Sequence, residues 1–228
     1  MVNVEEDNLI EFPLRGEWTA INTPAHRIPS HGTNKFGMRY AFDFIRLGWK
    51  PLIYLSSKNV YHHWFGNVSV KDCFGWSQPI YSPFEGEVVA MYDGWPDIME
   101  LNSIRDGYNL LFRQPKIRGR DFRPVAGNYV IIHSERFSAL LAHMRNDSVK
   151  VREGQHVKAG DPLGEIGNSG NTTGPHLHFQ LMKGDDPFTA TGVPCRFRSY
   201  ESYHHKTWKK VTNGIPGRLE RIRIQGSE

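Results

Sequence analysis

Apolar and polar residues alternate with a period of two in several short stretches, the pattern of strands that bury one face. It is clearest over Tyr40 to Ile45, Val130 to His133 and Leu177 to Leu181. Arg39 to Leu47 is expected as a strand with Ala41, Asp43 and Ile45 on one face and Phe42, Phe44 and Arg46 on the other. Gly127 to Met144 reads as a hairpin in which GNYVIIHS runs out, Glu135 and Arg136 turn, and FSALLAHM returns with Leu141 and His143 on one face. Ile80 to Tyr92 gives two short strands around Glu85 and Gly86. Val149 to Leu163 gives short strands joined by tight turns between Gly154 and Gly160. Leu9 to Ile21, with Phe12, Leu14, Trp18 and Ile21 interrupted by Pro13 and Gly16, supplies one or two more. The expected fold is all-β, an antiparallel sheet or sandwich with glycine-rich turns and long loops.

Other stretches break the alternation. Asn22 to Gly37, rich in Pro, Gly, Ser, Asn and His, is loop by composition and carries His26 and His31. Gly48 to Gln78 crowds Tyr54, Tyr61, His62, His63, Trp64, Phe65, Phe74 and Trp76 together, either as an insertion facing substrate or as a satellite hydrophobic cluster. His62 and His63 are adjacent and would face opposite ways on a strand, which argues against a shared metal. Asp93 to Pro124 is polar and basic, a groove wall or a solvated surface, and any helix between Ile98 and Asp106 is too short to assign. We therefore divide the chain into an N-terminal extension (1–30) packed on the core, a β domain (31–190) with insertions at 48–78 and 93–124, and a basic C-terminal extension (191–228).

Composition narrows the classes without naming one. Across 228 residues, 39% apolar and 12% aromatic content with 22 Gly and 14 Pro describes a turn-rich folded chain. A formal charge of +4 permits attraction to polyanions such as nucleic acid, teichoic acid or acidic glycans and specifies none. The basic residues after Cys195 read as a solvated surface arm or an anion-binding arm, and no nucleic-acid motif accompanies them. Cys73 and Cys195 lie in no CxxC pair and are expected as two free thiols, with one disulfide in an oxidising compartment as the alternative. The start, MVNVEEDNLIEF, lacks the basic and apolar segments of a signal peptide, and no run reaches the roughly 20 apolar residues of a membrane span. A soluble chain is expected, either cytoplasmic or secreted and associated with the cell wall.

The candidate chemistry gathers in GQHVKAGDPLGEIGNSGNTTGPHLHFQ, Gly154 to Gln180. A glycine-rich loop leads through Pro175 onto a strand, where His176 and His178 share one face and Leu177 and Phe179 the other. GNSGNTTGPHLHFQ closely resembles the signature of the lysostaphin-type zinc metalloendopeptidases, which cleave peptide bonds in bacterial cell walls. The resemblance extends over roughly residues 30 to 190, through Ala90, Asn128 to His133 and Leu140 to Met144 to YAFDF around Asp43. It implies the duplicated hybrid β motif of that family, one Zn2+, and hydrolysis of peptidoglycan stem peptides or cross-bridges. The KVREGQHVKAGDPLGEIG segment also resembles lipoyl and biotinyl carrier domains. It lacks their lysine in an acidic-Met-Lys context, which argues against a carrier.

By that resemblance Asp43 and His178 fall on zinc ligands, and His143 and His176 on the two histidines that act on water and the oxyanion. Read alone, Asp43 would cap backbone N–H groups or pair with Arg39, and His143 would be a satisfied sheet histidine. Gln180, on the histidine face, would hydrogen-bond an imidazole or line the groove, and Asn171 would stand near substrate. His133 matches no catalytic position and is read as structural. The chain departs from the family pattern at Arg39, where a histidine ligand is usual four residues before the aspartate. A guanidinium presents only donors and cannot ligate. We expect His31 to replace it, with His26, a weak two-residue site or no metal as the other outcomes, and Arg39 turned toward an acid or a substrate carbonyl. Loss of the metal would make the chain a catalytically silent module that docks cell wall or another protein.

Overall fold

The alternating segments form strands, and their order in space differs from their order in the chain. The computed structural model describes residues 8–49, 55–57, 67–112 and 117–225, so Tyr54, Tyr61, His62, His63, Trp64 and Phe65 lie outside the described residues. The strands are β1 (Leu9–Ile10), β2 (Gly16–Asn22), β3 (Phe42–Ile45), β4 (Val68–Ser69), β5 (Pro79–Tyr81), β6 (Gly86–Tyr92), β7 (Glu100–Leu101) and β8 (Asn128–His133). They continue with β9 (Ser138–Met144), β10 (His156–Val157), β11 (Pro162–Glu165), β12 (Leu177–Lys183), β13 (Thr191–Val193), β14 (Arg196–His204), β15 (Thr207–Gly214) and β16 (Arg221–Ile224). Two helices, α1 (Ser103–Phe112) and α2 (Arg123–Ala126), stand in the polar excursion.

Among the described residues, one 12-stranded sheet runs β1-β14-β16-β2-β3-β12-β9-β8-β6-β10, with β13 on β12 and β15 on β14. Its pairings are antiparallel apart from β1 with β14. The all-β expectation holds. The inner face buries Phe12, Trp18, Phe42, Phe44, Leu141, Leu177, Phe179 and Phe197 in one core. Phe42 stacks on Phe44 at 5.5 Å and Phe12 on Phe197 at 4.1 Å, so the aromatic core ties β3 to β14. The described part of the aromatic stretch forms a satellite cluster in which Leu55 and Trp76 pack on Val68, Val70, Cys73 and Leu101. Both cysteines are free and buried.

Four expectations are corrected. Arg39 is not on a strand: Lys35–Tyr40 is a 3-10 turn with Phe36 and Gly37 in left-handed conformations, and β3 starts at Phe42. Arg39 therefore does not share the face of Asp43. Leu141 and His143 do not share a face either. Tyr129 pairs with Ala142 and Asn128 with Met144, leaving His143 as the extra residue of a β-bulge at φ 63°. A bulge re-aims a side chain, and this one turns the imidazole away from the core that Leu141 enters. The helix in the excursion runs later and longer than the Ile98 to Asp106 window, over Ser103–Phe112, because Asn102 Oδ1 accepts the Arg105 N–H at its start. Finally, the basic segment after Cys195 is not a solvated arm. Phe197, Tyr200, Ile222 and Ile224 enter the main core, and β16 pairs with β2, the strand beside β3. Of its arginines, Arg198 pairs with Glu11, Arg221 with Glu17 and Arg223 with Glu201. No helix among the described residues is long and apolar enough to cross a membrane.

Candidate metal centre and catalytic cleft

Three adjacent strands bring the chemistry together. On β12, Leu177 and Phe179 go into the core, which sends His178 and Gln180 to the outer face. His178 lies directly opposite Asp43 of β3 on one side and Ala142 of β9 on the other. The bulge then delivers His143 beside Ala142. The fourth and fifth groups come from loops: His176 from the end of the glycine-rich run, His31 from the loop before the 3-10 turn.

Ligand atoms of His31, Asp43 and His178 all lie within 4.8 Å of one another. His31 Nε2 is 2.8 Å from Asp43 Oδ2, and His178 Nδ1 is 2.9 Å from Asp43 Oδ1. The surrounding network fixes which nitrogen of each ring carries the proton. Ser30 Oγ donates to Met38 O at 3.3 Å and so accepts from His31 Nδ1 at 3.1 Å, leaving the His31 Nε2 lone pair toward Asp43. Gln180 Nε2 donates to Phe36 O at 2.7 Å, so its Oε1 accepts from His178 Nε2 at 3.0 Å and leaves the Nδ1 lone pair toward Asp43. Each carboxylate oxygen then faces a nitrogen lone pair at hydrogen-bond distance. That arrangement suits a cation between them, a proton or a metal ion.

The acid–base balance agrees. Burial would raise the pKa of Asp43, but the charge of His31 and the hydrogen bonds from His178 and His31 outweigh it and hold the carboxyl well below its ordinary range. Burial disfavours charge on His178, yet its hydrogen bond to Asp43 wins and its pKa rises. Asn22 Nδ2 adds a donor to Asp43 Oδ2 at 2.6 Å. Two nitrogens and a carboxylate, each held by an outer hydrogen bond, suit a zinc site with an open position.

His143 and His176 stand beside this cluster, their ring centroids 4.6 Å apart. Their Nδ1–H groups are committed to carbonyls, His143 to Ser169 O and His176 to Gly174 O, both at 2.8 Å. Each therefore offers its Nε2. Burial pushes the pKa of His143 well below its usual value, and neighbouring histidines add to the shift. Burial also lowers that of His176, against the pull of Asp43, whose Oδ1 lies 3.7 Å from Nε2. The glycine-rich run reaches this position through close backbone contact: a Cβ on Gly170, at φ +80°, would stand 2.4 Å from Gly127 N.

The five groups form the floor of a cleft of about 620 Å3. Its walls are largely apolar, with Leu140, Ala142 and Val125 on one side and Ile21, Ile45 and Leu47 on the other; Asn171 stands at the rim of the glycine-rich run. Arg39 is not in it, its guanidinium being bound to Asn34 Oδ1 and the Tyr40 hydroxyl. His26 is exposed and lies 3.4 Å from Arg218, away from the cluster. His133 bonds Asp185 and Ser138 at the far end of β8. Sequence reasoning missed Asn22, Ser30, Ser169 and Gly174, which orient four of the five groups. Asn22 is distant in sequence from its partner, Ser169 and Gly174 act through backbone carbonyls, and Ser30 adjoins His31 in a loop without periodicity, so nothing in local spacing marks them.

Residues 116–190 match the family model described as Peptidase family M23. That segment is similar to the M23 peptidases. The matched segment contains His143, His176 and His178 and stops short of His31 and Asp43, so two of the three clustered ligands lie upstream of it. The peptidoglycan DD-endopeptidase ShyA of Vibrio cholerae is 40% identical over 68 residues, 29% of this chain and 15% of that protein. ShyB of the same organism, also named a peptidoglycan DD-endopeptidase, is 38% identical over 85 residues, covering 37% and 20%. The cell division protein DipM of Caulobacter vibrioides is 30% identical over 123 residues, covering 44% and 20%. The alignments thus span 20% or less of the length of these relatives. The catalytic domain of lysostaphin from Staphylococcus simulans aligns at 19% identity and a TM-score of 0.35 over 65% of this chain and 81% of that one, too distant to bear on function.

Proposed function

We propose that the chain is a zinc-dependent endopeptidase that hydrolyses peptide bonds in peptidoglycan stem peptides or cross-bridges. The observation that carries this reading is the convergence of His31, Asp43 and His178 with two further carbonyl-anchored histidines on the floor of one cleft. The peptidoglycan DD-endopeptidases named above supply the substrate class. His31 through Nε2, Asp43 through its carboxylate and His178 through Nδ1 would hold one Zn2+. When bound, zinc supplies a Lewis acid for the scissile carbonyl and lowers the pKa of water. His143, kept neutral by burial, accepts a hydrogen bond from the attacking water at Nε2. His176, with Asp43 close enough to steady a positive charge, takes the proton and returns it to the leaving amine. Residues 31–190 carry this chemistry, with 1–30 and 191–228 as flanking parts of the sheet. The exposed Lys206, Lys209 and Lys210 on the β14–β15 hairpin are the surface we assign to anionic wall polymer, with action at the cell wall.

The silent-module reading drew its force from Arg39, and Arg39 is occupied elsewhere. The test is incubation of the purified chain and zinc with cell walls, followed by mass spectrometry for newly freed amines. Cleavage that disappears in His143→Ala while zinc remains bound is the expected result. Zinc-loaded protein that cleaves none of a range of wall types would return the chain to the binding-module reading.

A further inference from the structure

Gln180 is fully buried and makes two hydrogen bonds of opposite sense. Its Oε1 accepts from Nε2 of His178 on its own strand, and its Nε2 donates to the carbonyl of Phe36 in the 3-10 turn that follows the His31 loop. Its orientation is unambiguous, since a carbonyl can only accept and must therefore face the amide nitrogen. Met182 Sδ closes the remaining side at 3.7 Å from Nε2.

We propose that Gln180 is a positioning residue that couples the loop carrying His31 to the imidazole of His178, so that one buried amide organises two of the three metal-binding groups. The inference rests on the reading of His31, Asp43 and His178 as the metal site. Phe36 presents its carbonyl by adopting φ 59°, and Gly37 follows at φ 74°. A Cβ on Gly37 would lie 2.7 Å from Gln180 Nε2 and 3.1 Å from Met182 Cβ. The turn is therefore pressed against Gln180 at the one position that has no side chain. From there the turn fixes Met38, whose carbonyl accepts from Ser30 Oγ, the group that holds His31 Nδ1. The chain of contacts runs from His178 through Gln180, Phe36 to Met38 and Ser30 to His31.

Three variants separate this role from packing. Gln180→Met keeps the length of the side chain and removes donor and acceptor. Gln180→Glu keeps the acceptor for His178 and loses the amide donor to Phe36. Gly37→Ala touches neither ligand and pushes on the amide. Zinc affinity is read by chelator competition, the His178 tautomer by imidazole nitrogen shifts in the metal-free protein, and the turn by amide exchange at Ser30 and Ala41, whose N–H groups bond Arg39 O and Met38 O. Gln180→Met is expected to weaken zinc binding about tenfold to a hundredfold and to spread the His178 proton over both nitrogens. Gln180→Glu should leave that proton on Nε2 while exchange at Ser30 and Ala41 accelerates, with zinc affinity between the two. Gly37→Ala should lower zinc affinity and speed the same amides. Folded Gln180→Met and Gly37→Ala proteins that match the wild type in affinity, tautomer and exchange would overturn the proposal. Should Gln180→Met not fold, the other two variants decide. A wild type that binds no zinc would sink the metal reading instead, and the tautomer and exchange measurements would still judge the coupling.

Discussion

Asp43 and His178 reach the candidate metal centre from paired strands, whereas His31 reaches it from a loop, and the two sources are held by different means. The strand pair is fixed by ladder register and by Phe42, Phe44, Leu177 and Phe179 beneath it, all fully buried. The loop has no such floor. Its geometry comes from Ser30, Met38 and the Gln180 contact to Phe36, a short series of hydrogen bonds. Strand-borne ligands are positioned by the fold itself, and the loop-borne one by a few polar contacts, so the loop is where metal affinity is tuned.

The largest effect should come from the strand side. Asp43→Ala removes the carboxylate that both imidazoles face, leaving two neutral nitrogen ligands. Zinc stoichiometry is expected to fall to near zero and cell-wall cleavage to background, both measured on the purified chain. Full occupancy in this variant would exclude Asp43 from the site. His31→Ala should come next: zinc bound weakly, with activity partly restored by excess metal, because the strand pair persists. His26→Ala, whose ring lies by Arg218, should bind zinc as the wild type does. The reverse result for the two histidines would exchange their roles.

The same contrast explains what could be read from the sequence. Asp43 and His178 could be placed on one face because β3 and β12 alternate strictly and the hydrophobic positions say which face is inward, while His176 followed from its spacing of two before His178, just ahead of β12. His31 was reached only by asking what replaces a missing ligand at Arg39. The strand assigned to Arg39 failed because the turn conformation depends on Phe36 and Gly37 at positive φ and on docking against Gln180, which are tertiary facts. His143 was named as a candidate but given the wrong face, since no residue near it announces a bulge. The C-terminal strands were hidden by their charge. Arg221 and Arg223 alternate with buried Ile222 and Ile224 and are neutralised by Glu17 and Glu201.

His143 tests the contrast from the side of chemistry. Its carbonyl-bound ring lies outside the ligand cluster, so His143→Ala should retain zinc and lose about 10²- to 10⁴-fold in rate, because the water that His176 deprotonates loses the acceptor that orients it. The pH dependence has a definite sign. Burial lowers the folded pKa of this histidine below 6.5, so the neutral form persists through neutral pH and below the ordinary histidine midpoint. Cleavage should therefore fall on the acid side only as pH drops through that depressed value, and the limb should move or vanish in His143→Gln. A limb centred above 6.5 would assign it to another group.

Ser30→Ala should produce the smallest change and the sharpest statement about the loop. The hydroxyl touches neither metal ligand atoms nor cleft. It accepts from His31 Nδ1 and donates to Met38 O, and so holds the ring in the tautomer that exposes Nε2. Without it, Nδ1–H loses its acceptor, the proton can move to Nε2, and that form of the ring cannot ligate through the atom facing Asp43. Outer hydrogen-bond partners of metal-binding histidines are commonly worth about tenfold to a hundredfold in metal affinity; Ser30 itself is buried, but the ring it holds is the more open of the two ligand imidazoles, which puts the effect near the lower figure. His31 is about one-sixth exposed, with a side-chain accessibility of 16%, against 9% for His178. Affinity for zinc is therefore expected to fall about tenfold by chelator competition, with melting of the metal-free protein almost unchanged. Ser30→Thr, which keeps the hydroxyl, should restore it. An unaltered affinity in a folded Ser30→Ala protein would mean that the loop is held by Gln180 and the turn alone.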